Sequence, residues 1–148
     1  LFVEKESKNL SIMIQHSELK EGDFVMAEYE GQSRPGVVTR VDMGGQQKVA
    51  VETADQEFWY EPQHLFPIPL SEEWLIRLKF SKETDKDGTV KYAKGPFRIV
   101  IKQPGDFNDI TIWYREDVRH WKHNLHVHEL QNHYLQMTKV PLSDQLPV

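Results

Sequence analysis

The chain has no cysteine among its 148 residues. That absence excludes disulfides, thiolate metal centres and cysteine nucleophiles together, and it fits a reducing cytoplasm, which is the expected location. Long apolar runs are also missing. Nothing approaches the roughly 18 residues that a membrane-crossing helix needs, and the amino end lacks the basic-then-apolar order of a signal peptide. No G-x-S-x-G elbow, P-loop or G-x-G-x-x-G occurs, so the chain lacks the local signatures of those hydrolase, phosphate-binding and dinucleotide sites, and no cofactor is expected. Positive charge is scarce in the first half. Residues 1–70 hold 6 Lys and Arg against 12 Asp and Glu, whereas residues 71–148 hold 12 against 11. A surface without a basic stripe gains little from counterion release, which makes nucleic acid the less favoured partner.

What is present is the composition of a folded globule, 39% hydrophobic and 28% charged, and a length that suits one domain or two very small ones. Residues 1–18 read as a polar tail with a short edge strand, because Leu10, Ile12 and Ile14 alternate with polar or flexible neighbours. Four β-rich runs follow, Phe24 to Tyr29, Gly36 to Val41, Lys48 to Thr53 and Glu57 to Tyr60. Turn chemistry separates them: Gly31 to Pro35, Gly44-Gly45 and Ala54 to Gln56. One face is expected to carry Val25, Ala27 and Tyr29, another Val37, Thr39 and Val41, and a third Val49, Val51 and Thr53. Short, evenly spaced antiparallel strands of this kind curl into small barrels that remove exposed edges.

The stretch Gly22-Asp23-Phe24-Val25-Met26-Ala27, with Pro35-Gly36-Val37-Val38 and Pro62-Gln63-His64-Leu65 before Phe66-Pro67, resembles an SH3-like barrel of the Tudor or KOW type over residues 19–69. The resemblance implies a five-stranded β-barrel and no particular activity. Pro67 and Pro69 then break the strand pattern as a semi-rigid link. Ser71 caps a helix beginning Glu72-Glu73-Trp74-Leu75, with Leu75, Leu78 and Trp74 as its apolar stripe. Ser81 to Thr89 reads as a charged turn, and strands are expected over Val90 to Ile101, where Phe97, Ile99 and Ile101 alternate, and over Ile110 to Tyr114, joined as a hairpin. A last helix is expected from about Leu125 to Thr138, because Val127, Leu130, Tyr134 and Met137 share one sector. The expected fold is therefore α+β, an SH3-like barrel followed by an α-β-β-α half over residues 70–148, docked against the barrel.

Leu70-Ser71-Glu72-Glu73-Trp74-Leu75, together with Val127-His128-Glu129-Leu130-Gln131-Asn132 and Tyr134-Leu135, resembles a family of small uncharacterised proteins of Bacteroides-type gut bacteria, some found near phage-like or mobile elements. The chain departs from that pattern at His133, where the family carries an apolar residue, and at Lys139, where it carries a helix-ending glycine. The resemblance implies no assigned activity.

Residues 119–134 hold five of the seven histidines, His120, His123, His126, His128 and His133. A zincin helix needs histidines at i and i+4, but Asn132 stands where the partner of His128 would be, and His133 is rotated about 100° away. No metal site is expected; the imidazoles read as solvated or singly hydrogen-bonded, with His128 packed structurally. Recognition has better support. Tyr29, Trp59 and Tyr60, near Phe24, Phe58 and Phe66 and among Glu28, Glu30, Glu57 and Glu61, form a candidate ligand-binding set for a cationic or proline-rich peptide. The simpler reading makes Phe58 and Tyr60 inward core with Trp59 alone outside. Trp113 and Trp121 are a further candidate pair, or a stack between hairpin and helix. The expectation is a non-enzymatic binding or adaptor module for peptide or protein. The alternatives are a nucleic-acid-associated accessory protein and a histidine metal-binding protein.

Overall fold

A computed structural model of the protein describes residues 14–143. They fall into two compact units, one ending at Ile68 and the next beginning at Pro69. Except for Ile14, the edge strand expected at Leu10 to Ile14 lies outside the described residues.

The first unit is an antiparallel sheet of β1 (Phe24–Tyr29), β2 (Gln32–Val41), β3 (Val49–Thr53), β4 (Glu57–Tyr60) and β5 (Leu65–Phe66). Its order is β4-β3-β2-β1-β5. β4 and β5 are the two edges and do not pair with each other, so the sheet is not the closed five-stranded barrel expected of an SH3-like chain. Alternation builds its core: Val25, Ala27, Val38, Val49, Val51, Tyr60 and Leu65 turn to one side, where Ile14 and Leu19 join them. Two details of β2 escape a simple period of two. A bulge falls between Val38 and Arg40; the extra residue lets Val38 and Val41 both face inward, opposite Val51 and Val49. The expected face of Val37, Thr39 and Val41 is thereby corrected. Gly36 is the second detail, since a Cβ there would lie 2.5 Å from Val51 Cγ1 and 2.9 Å from the Glu52 carbonyl oxygen. Only glycine lets β3 pass so close.

The second unit opens with α1 (Glu72–Arg77), capped as expected: Ser71 Oγ accepts from the Trp74 N–H at 3.4 Å. Trp74, Leu75 and Leu78 are buried. A five-stranded meander follows, β6 (Ser81–Thr84), β7 (Val90–Lys94), β8 (Phe97–Ile101), β9 (Ile110–Tyr114) and β10 (Asp117–Trp121), each strand paired with the next. Tyr92, Phe97, Ile99, Ile101, Ile110 and Ile112 are buried on it. α2 (Val127–Thr138) packs there through Tyr134, whose ring lies 4.7 Å from that of Phe97. Val127, Leu130, Tyr134 and Met137 are all buried. The chain entering α1 is tied to the chain entering α2, with the Leu70 N–H reaching the Leu125 carbonyl at 3.0 Å and Asn124 Oδ1 at 3.1 Å.

The fold is thus α+β, mostly β, in two antiparallel sheets. Among the described residues the expected α-β-β-α half is corrected to two helices around five strands: the expected Val90 to Ile101 strand folds back at Gly95-Pro96 into β7 and β8, and β6 and β10 are strands that carry no buried residue. They are held by backbone pairing to β7 and β9. No helix among the described residues is long and apolar enough to cross a membrane.

Candidate functional site

Two hairpin turns of the first unit build the candidate site. The β1–β2 turn is a two-residue loop, Glu30-Gly31, with φ of 52° and 78°. Positive φ at both central residues fits the primed turn that matches the twist of paired strands. Glycine adopts it freely, whereas Glu30 does so against its own preference. The β3–β4 turn is closed by Thr53, whose N–H bonds the Gln56 carbonyl at 3.0 Å and whose Oγ1 lies 3.4 Å from the Asp55 N–H. These local bonds hold Asp55 at the turn.

Between the turns lies a pocket of about 260 Å³, with Tyr29, Phe58 and Tyr60 as its aromatic wall and Glu30, Arg34 and Asp55 among its polar lining. Tyr29 and Phe58 belong to strands with two others between them, yet their ring centroids are 5.0 Å apart at an interplanar angle of 40°. The sheet is curled strongly enough to close that distance, although no ladder closes it. Phe58 meets Tyr60 edge-on at 6.3 Å. Tyr29 is 51% exposed and Tyr60 only 6%. Burial, and then the neighbouring Tyr29, push the Tyr60 phenol above its ordinary pKa, which keeps it neutral and able to donate. Arg34 pairs with Asp55 Oδ2 and donates to Gln32 Oε1 at 2.8 Å.

Of the three residues singled out in the sequence, Tyr29 and Tyr60 come together at this pocket. Trp59 does not: strand alternation sends it to the opposite face, 48% exposed, with Arg40 over its ring at 5.3 Å. Phe58 and Tyr60 turn inward and pack with the core while Trp59 lies outside, as the simpler reading of the sequence expected. Asp55, Arg34 and Gln32 were not singled out as site members, although their positions beside two short turns carried a signal, since turns at the same end of a curled sheet face one another.

The histidine-rich segment separates into local structural contacts. His120 Nε2 lies 2.6 Å from Asp109 Oδ1, and Lys102 Nζ lies 3.2 Å from Oδ2. Hydrogen bonds from His120, then Lys102, hold the Asp109 carboxyl below its usual range. His126 precedes α2, where Glu129 Oε1 accepts from its backbone N–H at 2.9 Å and lies 2.7 Å from its Nδ1. Burial alone would raise the Glu129 carboxyl, but the bonds from His126 and the charges of His126 and His128 outweigh it and bring the pKa down to about 2. His128 is buried and stacks on His126, rings 6.0 Å apart. His133 lies 4.6 Å from Trp121, so Trp121 stacks between strand and helix, while Trp113 remains 41% exposed beneath Arg98. Among the described residues, no three His, Asp or Glu side chains stand close enough to share a metal ion.

No protein family, curated protein or solved structure matches this chain. The kinship read from Leu70-Ser71-Glu72-Glu73-Trp74-Leu75 and Val127 to Leu135 is corrected accordingly. Those segments are α1, with its cap, and α2, and their apolar residues are accounted for by the packing of the second unit.

Proposed function

We propose that the protein is a binding module whose first unit takes a basic side chain of a peptide or protein in the pocket between the two turns. The observation that carries this reading is the convergence of Tyr29, Phe58 and Tyr60 with the carboxylates of Glu30 and Asp55 around one open pocket. Aromatic faces attract a cation through their quadrupole, and carboxylates at the mouth supply direct ion pairing. Flat apolar rings also suit an extended, proline-rich backbone, which orders at low entropic cost. The acidic balance of residues 1–70 favours such a ligand over a polyanion.

A dye-labelled peptide of alternating lysine and proline, titrated by fluorescence anisotropy, tests the reading. Replacing Tyr29 by Ala removes the exposed ring and is expected to weaken binding by about fivefold, in keeping with a cation–π contribution of about 1 kcal/mol. Replacing Trp59 by Ala, on the other face, is expected to leave binding unchanged. The opposite pattern would move the site to the Trp59 face and overturn the assignment.

A further inference from the structure

We infer that the pocket is capped from within: Arg34 holds Asp55, the carboxylate that the ligand's cation takes, and releases it when a basic peptide binds. This inference rests on the pocket being a site for a basic side chain. Register places Arg34 directly opposite Ala27 of β1, and residues directly opposite in a sheet share a face. Ala27 is buried in the core. Arg34 therefore stands on the inward face, in line with Gly36 and Val38, both buried.

A cation on the inward face of a curled sheet needs a partner there, and Arg34 finds one in Asp55 and a second acceptor in Gln32 Oε1. It does not use the rings. Arg40 and Arg98 lie over Trp59 and Trp113, whereas among the described contacts Arg34 stacks on neither Tyr29 nor Phe58. The Asp55 carboxylate is occupied while, among the described contacts, the Tyr29 ring, 51% exposed, carries no cation of the chain. One half of a cation site is thus filled by the chain itself.

The exchange is physically easy. Both side chains of the pair are about half exposed, 47% and 56%, and an exposed ion pair contributes little net stability, so breaking it costs little. Asp55 stays in place because Thr53 closes its turn; the long Arg34 side chain is the partner free to swing away. An incoming ammonium or guanidinium regains the carboxylate and adds the ring faces that Arg34 leaves unused. The cap therefore lowers affinity for every cation and selects those able to reach Asp55 and the rings together.

The test compares the wild-type chain with Arg34→Met, Asp55→Asn and the double variant, using the lysine–proline peptide and a thermal melt to establish that each is folded. Methionine keeps length and removes the charge. Arg34→Met is expected to bind about threefold to tenfold more tightly, and adding Asp55→Asn is expected to abolish that gain. If the wild-type chain binds and Arg34→Met binds equally or more weakly, Arg34 is a wall of the pocket and the internal cap is overturned while the pocket stands. If neither the wild-type chain nor any variant binds, the pocket reading falls and the cap with it.

Discussion

A guanidinium has only donors, so the 2.8 Å contact between Arg119 Nη1 and His133 Nδ1 fixes the state of the imidazole. Nδ1 must accept, the ring must be neutral, and its proton must sit on Nε2. Burial, and then the Arg119 charge, hold His133 below its ordinary pKa, while Glu129 and Asp117 pull less strongly the other way. Stability from the neutral ring is fully present above the unfolded value of about 6.5, and is lost as pH falls below it, because the unfolded chain then takes up a proton that the folded chain refuses. The urea midpoint is therefore expected to fall between about pH 7.5 and 5.5, with a shallower fall in His133→Gln. An identical pH slope in the variant would show that His133 does not carry the effect.

At the scale of elements, α2 shows how local chemistry ends a helix. Lys139 adopts a left-handed conformation, φ 66° and ψ 13°, and its N–H closes on the Leu135 carbonyl at 2.8 Å. A side chain is strained there and glycine is not, so Lys139→Gly is expected to stabilise the protein by about 0.5–1 kcal/mol, seen as a higher urea midpoint. A lower midpoint would mean that the lysine side chain contributes more than the strain costs. Where apolar spacing and caps agreed, elements were legible in the sequence: β1, β4, Ser71 before α1, and the buried sector of α2. The turn at Gly95-Pro96 that divides Val90 to Ile101 into β7 and β8 was hidden by the apolar residues on both sides of it, whereas the two missed edge strands share another cause. β6 is Ser-Lys-Glu-Thr, wholly exposed, and β10 is Asp-Val-Arg-His-Trp, without a buried residue. Edge strands exist through pairing to a neighbour, and pairing leaves no apolar stripe to read. The bulge at β2 was hidden for a related reason, since it puts Val37 and Val41 on opposite faces without changing composition. Tyr29 and Tyr60 could be named as site candidates from their aromatic neighbourhood. That Phe58 shares a face with Tyr60 was legible from the alternation of β4; that Tyr29 meets them depends on the curl that brings β4 to β1. That curl is a property of the sheet rather than of the four residues Glu57 to Tyr60.

For the whole molecule, charge governs what approaches the pocket. The chain carries a net charge of −5, and the half containing the pocket is the acidic half. Such a field steers cationic partners inward and repels phosphate, and it is screened over about 8 Å at physiological salt. Binding of a basic peptide should therefore weaken as salt rises yet keep a salt-resistant part from ring contacts. The most direct measurement is an NMR titration of the wild-type chain with the lysine–proline peptide, with a glutamate–proline peptide of equal length as the control. The basic peptide alone is expected to shift resonances of Tyr29, Phe58, Tyr60 and the turns at Glu30-Gly31 and Ala54 to Gln56. No shift at millimolar basic peptide, equal shifts with the acidic peptide, or shifts confined to residues outside the pocket would contradict the pocket as a site for a basic side chain.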